Sequence, residues 1–454
     1  MPQPFDRRTF LKTGSLAAAG TSLLGTQMLA DHPREDKLRL GIIGTGLRGR
    51  WHLHLALQRD DTEVTAICDI DPDAIAQAQR QIRDAGRKEA AVYQQGEEAF
   101  RQMLTRDDLD AVVIATPWHW HVPMAVAAMR NGKYAGVEVP AALTIEECWD
   151  LVDTSEATGV PCMILENVCY RRDVMAVLNM VRQGLFGELL HMACGYEHDL
   201  REVQFNDGRQ PYGGGVEFGE KGFSEARWRT QHAVERNGDL YPTHGAGPVS
   251  VMLDINRGNR FVSLTSTATK ARGLHKYIVD HGGADHPNAS VEFRCGDIVT
   301  TVLRTQHGET VTVQHDTNNP RPYSLGFRVQ GTHGIWMDVN QSVYIEGQSA
   351  RSHQWDPAAD WFVRYDHPLW QRWAAQAEGG GHGGMDFFVL HAFIEAAKRR
   401  VAPPLDVYDA ATWSVISPLS EQSIAQGSMP VQVPDFTRGR WMLRKPFFAL
   451  SDAY

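Results

Sequence analysis

The sequence predicts an α/β protein in two parts: a doubly wound parallel sheet over residues 37–188, then an α+β unit over residues 189–454 whose sheet is open and mainly antiparallel. Three observations carry this reading. A buried strand runs straight into a glycine-rich turn and a helix. Strand and helix periods then alternate as far as residue 166. Beyond residue 189 the apolar period shortens to two, strand after strand, and helical spacing returns only near the C-terminus.

The elements follow in order. Residues 38–43, Leu-Arg-Leu-Gly-Ile-Ile, read as a strand, and residues 50–58 as a helix. Between them stands Gly44-Thr45-Gly46-Leu47-Arg48-Gly49. In that setting Gly44 allows a tight turn, Gly46 lets the backbone approach a diphosphate, and Gly49 packs helix on strand. The positive end of the helix dipole then faces the phosphates. A second strand, 63–69, ends in Asp69, about 20 residues after the turn, where a carboxylate accepts both ribose hydroxyls and repels a 2′-phosphate. NAD is therefore expected over NADP, bound to a Rossmann domain. Strands at 109–115, 135–139 and 161–166 alternate with helices at 123–131 and 145–157. Ligands of such sheets lie at the carboxyl ends of the strands. That singles out the loops Thr116-Pro117-Trp118-His119-Trp120-His121, Glu138-Val139-Pro140 and Glu166-Asn167.

In the second part, strands are expected at 191–197, 260–267, 290–294, 298–304, 310–316, 325–330, 334–338 and 342–346. Helices at 385–398 and 410–426 are expected to pack back on the first part, and the glycine-rich stretch 212–222 reads as a mobile loop. Polar and aromatic residues crowd Tyr196-Glu197-His198-Asp199, Trp228-Arg229-Thr230-Gln231-His232, Tyr241-Pro242-Thr243-His244-Gly245 and Arg321-Pro322-Tyr323. A histidine beside a tyrosine can take a hydroxyl proton and relay it, and Arg229 can orient a sugar oxygen.

Composition narrows the function. A net charge of -10 argues against a nucleic-acid partner. No stretch is apolar enough for a stable membrane span. The six cysteines form no C-x-x-C pair and read as buried small hydrophobes. His119 and His121, His52 and His54, and His382 within Gly379-Gly380-Gly381-His382-Gly383-Gly384 lack a companion carboxylate or thiolate cluster, so no metal is expected. Arg7-Arg8-Thr9-Phe10-Leu11-Lys12 precedes a weakly apolar stretch, 16–29. This is a twin-arginine (Tat) signal, with residues 1–36 as signal and linker. The Tat machinery is thus an expected partner and the location is expected to be periplasmic or secreted.

The combined pattern resembles the Gfo/Idh/MocA oxidoreductase superfamily. Within it, the motifs are similar to glycoside hydrolase family 109, the NAD-dependent α-N-acetylgalactosaminidases. The most specific pieces are the 116–121 loop, Val137-Glu138-Val139-Pro140, Glu166-Asn167-Val168, Leu178-Asn179-Met180-Val181-Arg182-Gln183-Gly184, Asn237-Gly238-Asp239-Leu240-Tyr241-Pro242-Thr243-His244-Gly245, Gln314-His315-Asp316-Thr317 and Tyr365-Asp366-His367-Pro368-Leu369-Trp370. Superfamily dehydrogenases commonly carry Glu-Lys-Pro, with a catalytic lysine, where this chain has Val139. They often place an aspartate four residues before the catalytic histidine, where this chain has Leu240 before His244. Both departures match the glycosidase family.

The resemblance implies that NAD contacts Leu47, Arg48, Asp69, Trp118, His119, Trp120, His121, Glu138, Val139, Asn167, Trp228 and Tyr241. It implies that a glycan with terminal N-acetylgalactosamine contacts Tyr196, Arg229, Tyr241, Pro242, Thr243, His244 and Tyr323. His244 and Tyr241 would carry the proton traffic, with Glu166 and His198 in second rank. The implied route oxidises C3, eliminates across C1–C2, adds water and returns the hydride. The alternative is a periplasmic NAD-dependent sugar oxidoreductase that reoxidises NADH on a second sugar. The superfamily's open sheet often mediates dimers, so a homo-oligomer is implied too. The region 200–227 looks longer than in typical members.

Overall fold

The computed structural model describes residues 37–454; the twin-arginine segment lies outside them. The first sheet contains β1 (Leu38–Ile43), β2 (Thr62–Cys68), β3 (Ala91–Tyr93), β4 (Ala111–Ile114), β5 (Tyr134–Val137) and β6 (Cys162–Ile164). All pairs are parallel, in the order β3-β2-β1-β4-β5-β6. β4 and β5 are buried along their whole length, as strands covered on both faces must be. The order reverses between β1 and β4, and this switch point opens the ligand crevice. Helix α1 (Leu47–Leu57) leaves the β1 turn. A Cβ on Gly49 would stand 1.7 Å from the Gly44 carbonyl oxygen, so only glycine lets α1 sit on that turn. Helix α2 (Pro72–Asp84), absent from the sequence reading, is capped by the Asp71 carboxylate.

The second sheet has nine strands: β7 (Leu189–Glu197), β8 (Phe261–Ala268), β9 (Ile298–Thr305), β10 (Thr310–Asp316), β11 (Arg328–Gly331), β12 (Gly334–Met337), β13 (Ser342–Ile345), β14 (Asp356–Pro357) and β15 (Val431–Gln432). Their order is β14-β13-β12-β11-β7-β10-β9-β8-β15. The sheet is mainly antiparallel; β7 and β10 run parallel, with Tyr196 opposite His315. Period two decides the faces. Met192, Cys194 and Tyr196 on β7, with Val311, Val313 and His315 on β10, all turn inward.

Two segments join the halves. Helix α3 (Met385–Arg399) lays Phe393 against Gly136 of β5, where a Cβ would meet the ring at 2.8 Å. Its far end is tied by Glu395 to Arg59 and by Lys398 to Asp61. Helix α4 (Thr243–Met252) lies on β7. A Cβ at Gly245 would meet the Gly195 nitrogen at 2.7 Å, so paired glycines set the helix close to the strand.

The structure corrects three expectations. Residues 290–294 form no strand. A 3₁₀ turn at Pro287–Ser290 precedes them, and the Arg294 and Cys295 N–H groups both donate to the Ala233 carbonyl. The 212–222 stretch is anchored rather than loose. Asn206, fully buried, pairs its backbone with Glu217, and its amide bonds the backbone of Gly208 and Phe223. The 410–426 segment is two helices, Val407–Ser414 and Ile416–Ala425. A satellite core explains the first two differences. Phe205, Val216, Ala233, Leu240, Leu274, Tyr277, Ile278 and Cys295 pack together, apart from the main core. Ala233, Leu274, Tyr277 and Ile278 come from two short helices and the other four from irregular backbone, so no single period announces the cluster.

Candidate active site

The cofactor crevice can be built from the β1 turn outward. Gly46 caps α1 with no side chain, and a Cβ there would meet nothing within 4 Å. The space beside the start of α1 is therefore clear, as a diphosphate cradle on its first N–H groups requires. Leu47 and Arg48 form its first turn. Asp69 stands at the crest of β2, accepting from the Thr45 N–H at 2.6 Å and the Asp71 N–H at 2.9 Å. Its carboxylate is fixed beside the turn with lone pairs left for ribose hydroxyls. These residues fit a dinucleotide.

A buried charge network lies deeper. Arg48 Nε donates to Glu138 at 2.5 Å and its Nη1 reaches Asp386 at 2.8 Å. His52 Nε2 lies 2.6 Å from Glu138, and Asn167 Nδ2 donates to Asp386 at 2.7 Å. Burial alone would raise the Glu138 carboxyl, but Arg48 and His52 reverse this and bring it down to about 2. His382 Nδ1 sits 2.7 Å from Asp386, whose hydrogen bond raises the imidazole pKa. Sequence reasoning missed Asp386 and His52. Nothing in their local pattern marks them, because the partners arrive from α3 and α1 only on folding.

Asn167 follows Glu166 at the end of β6, so the network adjoins a second cluster. Glu166, fully buried, stands 2.7 Å from His244 Nδ1 and also accepts the Val168 N–H. A carboxylate only accepts, so Nδ1 carries the proton and Nε2 is left as a base. α4 places this imidazole beside Tyr241 and Tyr196, with ring centres 5.0 and 5.1 Å away. Tyr241 and Tyr196 are 4.8 Å apart. Burial pushes the Tyr241 phenol well above its ordinary value, and Arg229 pulls the other way. The Arg229 guanidinium covers Tyr241 at 4.9 Å and Trp118 at 5.1 Å. Trp228 meets Trp118 at 5.2 Å. The Tyr196 hydroxyl lies 3.2 Å from His198, whose ring contacts Tyr323 at the rim.

The other expected contacts divide. Val139 is buried beside Glu138, and Pro242 and Thr243 are buried at the start of α4. In the 118–121 loop only Trp118 turns its ring into this cluster. His119 is exposed, Trp120 packs edge-on against Phe100, and His121 sets its two ring nitrogens against the Pro140 and Thr116 carbonyls.

Two family models account for nearly all the described residues. Residues 38–166 match the oxidoreductase family with an NAD-binding Rossmann fold, and residues 170–443 match the C-terminal domain of glycosyl hydrolase 109. The chain belongs to glycosyl hydrolase family 109. A family 109 protein of Stenotrophomonas maltophilia is 53% identical over 99% of both chains. The α-N-acetylgalactosaminidase of Tannerella forsythia is 52% identical over 98% of this chain and 99% of its own. Among solved structures, levoglucosan dehydrogenase in complex with NADH and L-sorbose shares the fold. Its TM-score is 0.62 at 20% identity, covering 88% of this chain and all of its own. The myo-inositol dehydrogenase of Lactobacillus casei gives 0.58 at 18% identity, over 88% and 97%. This family 109 chain is thus a glycoside hydrolase whose cofactor is NAD, on the Gfo/Idh/MocA frame.

Asp239, just before the site tyrosine, carries a testable pH signature. It is buried, one carboxylate oxygen accepts the Tyr241 N–H, and the other has no partner. Burial pushes its pKa up to about 7. An unfolded aspartate ionises near pH ~4, so between that and about 7 the folded state binds more protons. Stability therefore falls as pH rises through this window and levels off above it. Asp239→Asn keeps the acceptor and removes the charge. Thermal melts should show a gain of several degrees at pH 8 and none near pH 4.

Proposed function

We propose that this glycoside hydrolase releases terminal α-linked N-acetylgalactosamine by a redox-neutral cycle in which NAD stays bound. The Glu166–His244 pair beside Tyr241, at the mouth of the dinucleotide crevice, carries this reading. When bound, NAD supplies a reversible hydride acceptor for sugar carbon C3. Arg48, Asp69, Glu138 and Asn167 would hold it, with Trp118 and Trp228 as walls. The route removes two protons, one from the C3 hydroxyl and one from C2. His244 Nε2, with its ring fixed by Glu166, is the base of this proton traffic, and the Tyr241 hydroxyl hydrogen-bonds the sugar oxygen and relays its proton toward that nitrogen. Arg229 and Tyr196 orient the sugar, and Tyr323 bounds it at the rim. The Tannerella relative's name supports the substrate.

Export by the Tat route completes the proposal. All six cysteines are free and buried. Folding where thiols stay reduced, followed by export of the folded chain, keeps them so. Little free NAD exists outside the inner membrane, and a cofactor restored in every cycle needs no exchange. Replacing Arg7 and Arg8 with lysine should leave the protein in the cytoplasmic fraction.

The purified enzyme should release nitrophenol from nitrophenyl α-N-acetylgalactosaminide with no added NAD and no net absorbance at 340 nm. Denaturation should liberate NAD in near-equal amount. Net NADH formation from a free sugar, without aglycone release, would overturn this in favour of a sugar oxidoreductase.

A further inference from the structure

The motif Gln314-His315-Asp316-Thr317 has no part in the chemistry above, yet His315 and Thr317 line a small cavity. Behind Arg229 and Tyr241 lies a cavity of about 20 Å³, walled by Leu240, Cys295, His315 and Asn318 among others. Its polar lining is unsatisfied. Asn318 is 1% exposed and His315 3% exposed, and neither Asn318 Nδ2 nor His315 Nδ1 has a hydrogen-bond partner. Asn318 has no freedom to turn away. Its Oδ1 accepts from Gln204 at 3.1 Å and from Thr317 at 3.2 Å, which aims the NH₂ elsewhere. Gln204 in turn accepts the Thr230 hydroxyl at its carbonyl, 2.6 Å away, next to Arg229. His315 is opposite Tyr196 in the parallel register, so the cavity floor is continuous with the sugar face.

Asn318 and His315 both line this space, and each of their unpartnered buried atoms would cost roughly 1–3 kcal/mol if left dry. Burial, reinforced by Arg229, drives the His315 pKa down to about 3, so the ring is neutral and offers one acceptor nitrogen and one donor. The space must therefore hold something that accepts from an amide and bonds an imidazole. A single water needs roughly 10–15 Å³ of such volume, whereas an acetamido group, with three heavy atoms more than a methyl, needs several times that.

We propose that this cavity is a permanent site for one water molecule, bonded by Asn318 Nδ2 and His315 Nδ1. Through it the two residues position Arg229 and Tyr241 against the sugar. The positioning half rests on the functional reading above; the water does not. An immobilised water joins the cavity floor to the wall that carries Arg229, so the guanidinium meets the sugar already in place.

High-resolution crystals of the enzyme, with and without free N-acetylgalactosamine, test the site. Both should show one density peak within hydrogen-bond distance of Asn318 Nδ2 and His315 Nδ1. A dry cavity, or sugar atoms inside it, overturns the proposal. Asn318→Leu should evict the water and weaken binding of N-acetylgalactosamine, read by tryptophan fluorescence, about 10-fold, with kcat changed less than KM. Asn318→Ser leaves a hydroxyl and room for water and should recover most of that affinity, and it serves equally if the leucine variant does not fold. Wild-type affinity in Asn318→Leu overturns the positioning role. Because the density is read without turnover, an enzyme that cleaves no galactosaminide would sink the functional reading and leave the water site standing or falling on its own.

Discussion

His244→Ala is expected to lower kcat by about 10³-fold and to leave bound NAD and the melting temperature close to those of the parent. The magnitude follows from the role. A positioned general base is worth roughly 10²–10⁴ in rate, and this imidazole is both aimed and held. Its side chain is partly exposed at the mouth of the site, so truncation empties little core. Glu166→Gln separates positioning from chemistry. The amide keeps the shape but turns the Nδ1 contact from charged acceptor to neutral, so kcat should fall by an intermediate factor. Rate assays with the nitrophenyl substrate, paired with thermal melts, check both. A His244→Ala enzyme within a few-fold of the parent would remove the base from the mechanism.

Gly49→Ala is expected to abolish NAD retention. The added Cβ would lie 1.7 Å from the Gly44 carbonyl oxygen, against backbone that no side-chain rotation can relieve. Either α1 lifts from the turn or the turn opens, and each outcome separates the first N–H groups of α1 from the diphosphate. Chromatographic measurement of nucleotide released on denaturation should find NAD in the parent and almost none in the variant. Activity should fall in parallel and recover partly in excess NAD. Full NAD occupancy in Gly49→Ala would show that the turn does not cradle the diphosphate closely.

Much of the frame was legible because its signals are local. The Gly44–Gly49 turn, the apolar β4 run and Asp69 each state their role within a few residues. The 241–245 segment could be singled out because tyrosine, histidine and glycine crowd there. Other features are tertiary. Asp386 reaches Arg48 only after α3 docks on β5, and His52 reads as an ordinary helical residue until Glu138 meets it. The 212–222 stretch looks loose because eight of its eleven residues are glycine or charged, while the anchor, Asn206, sits outside it. Residues 290–294 alternate like a strand, yet the Arg294 N–H, with that of Cys295, donates to the Ala233 carbonyl and the Val291 N–H turns back to Asn288. The side chains of 118–121 illustrate the same limit. One motif sends its four aromatic rings in different directions, and only the backbone turn decides which ring, that of Trp118, faces the site.

Leu240 belongs to the satellite core, and the next residue is Tyr241. The satellite core is therefore a footing for Tyr241, whose phenol the proposed route uses. On that reading, a change in the packing of Phe205, Val216 or Ile278 is expected to reach the site through Leu240 without touching a residue of the site itself.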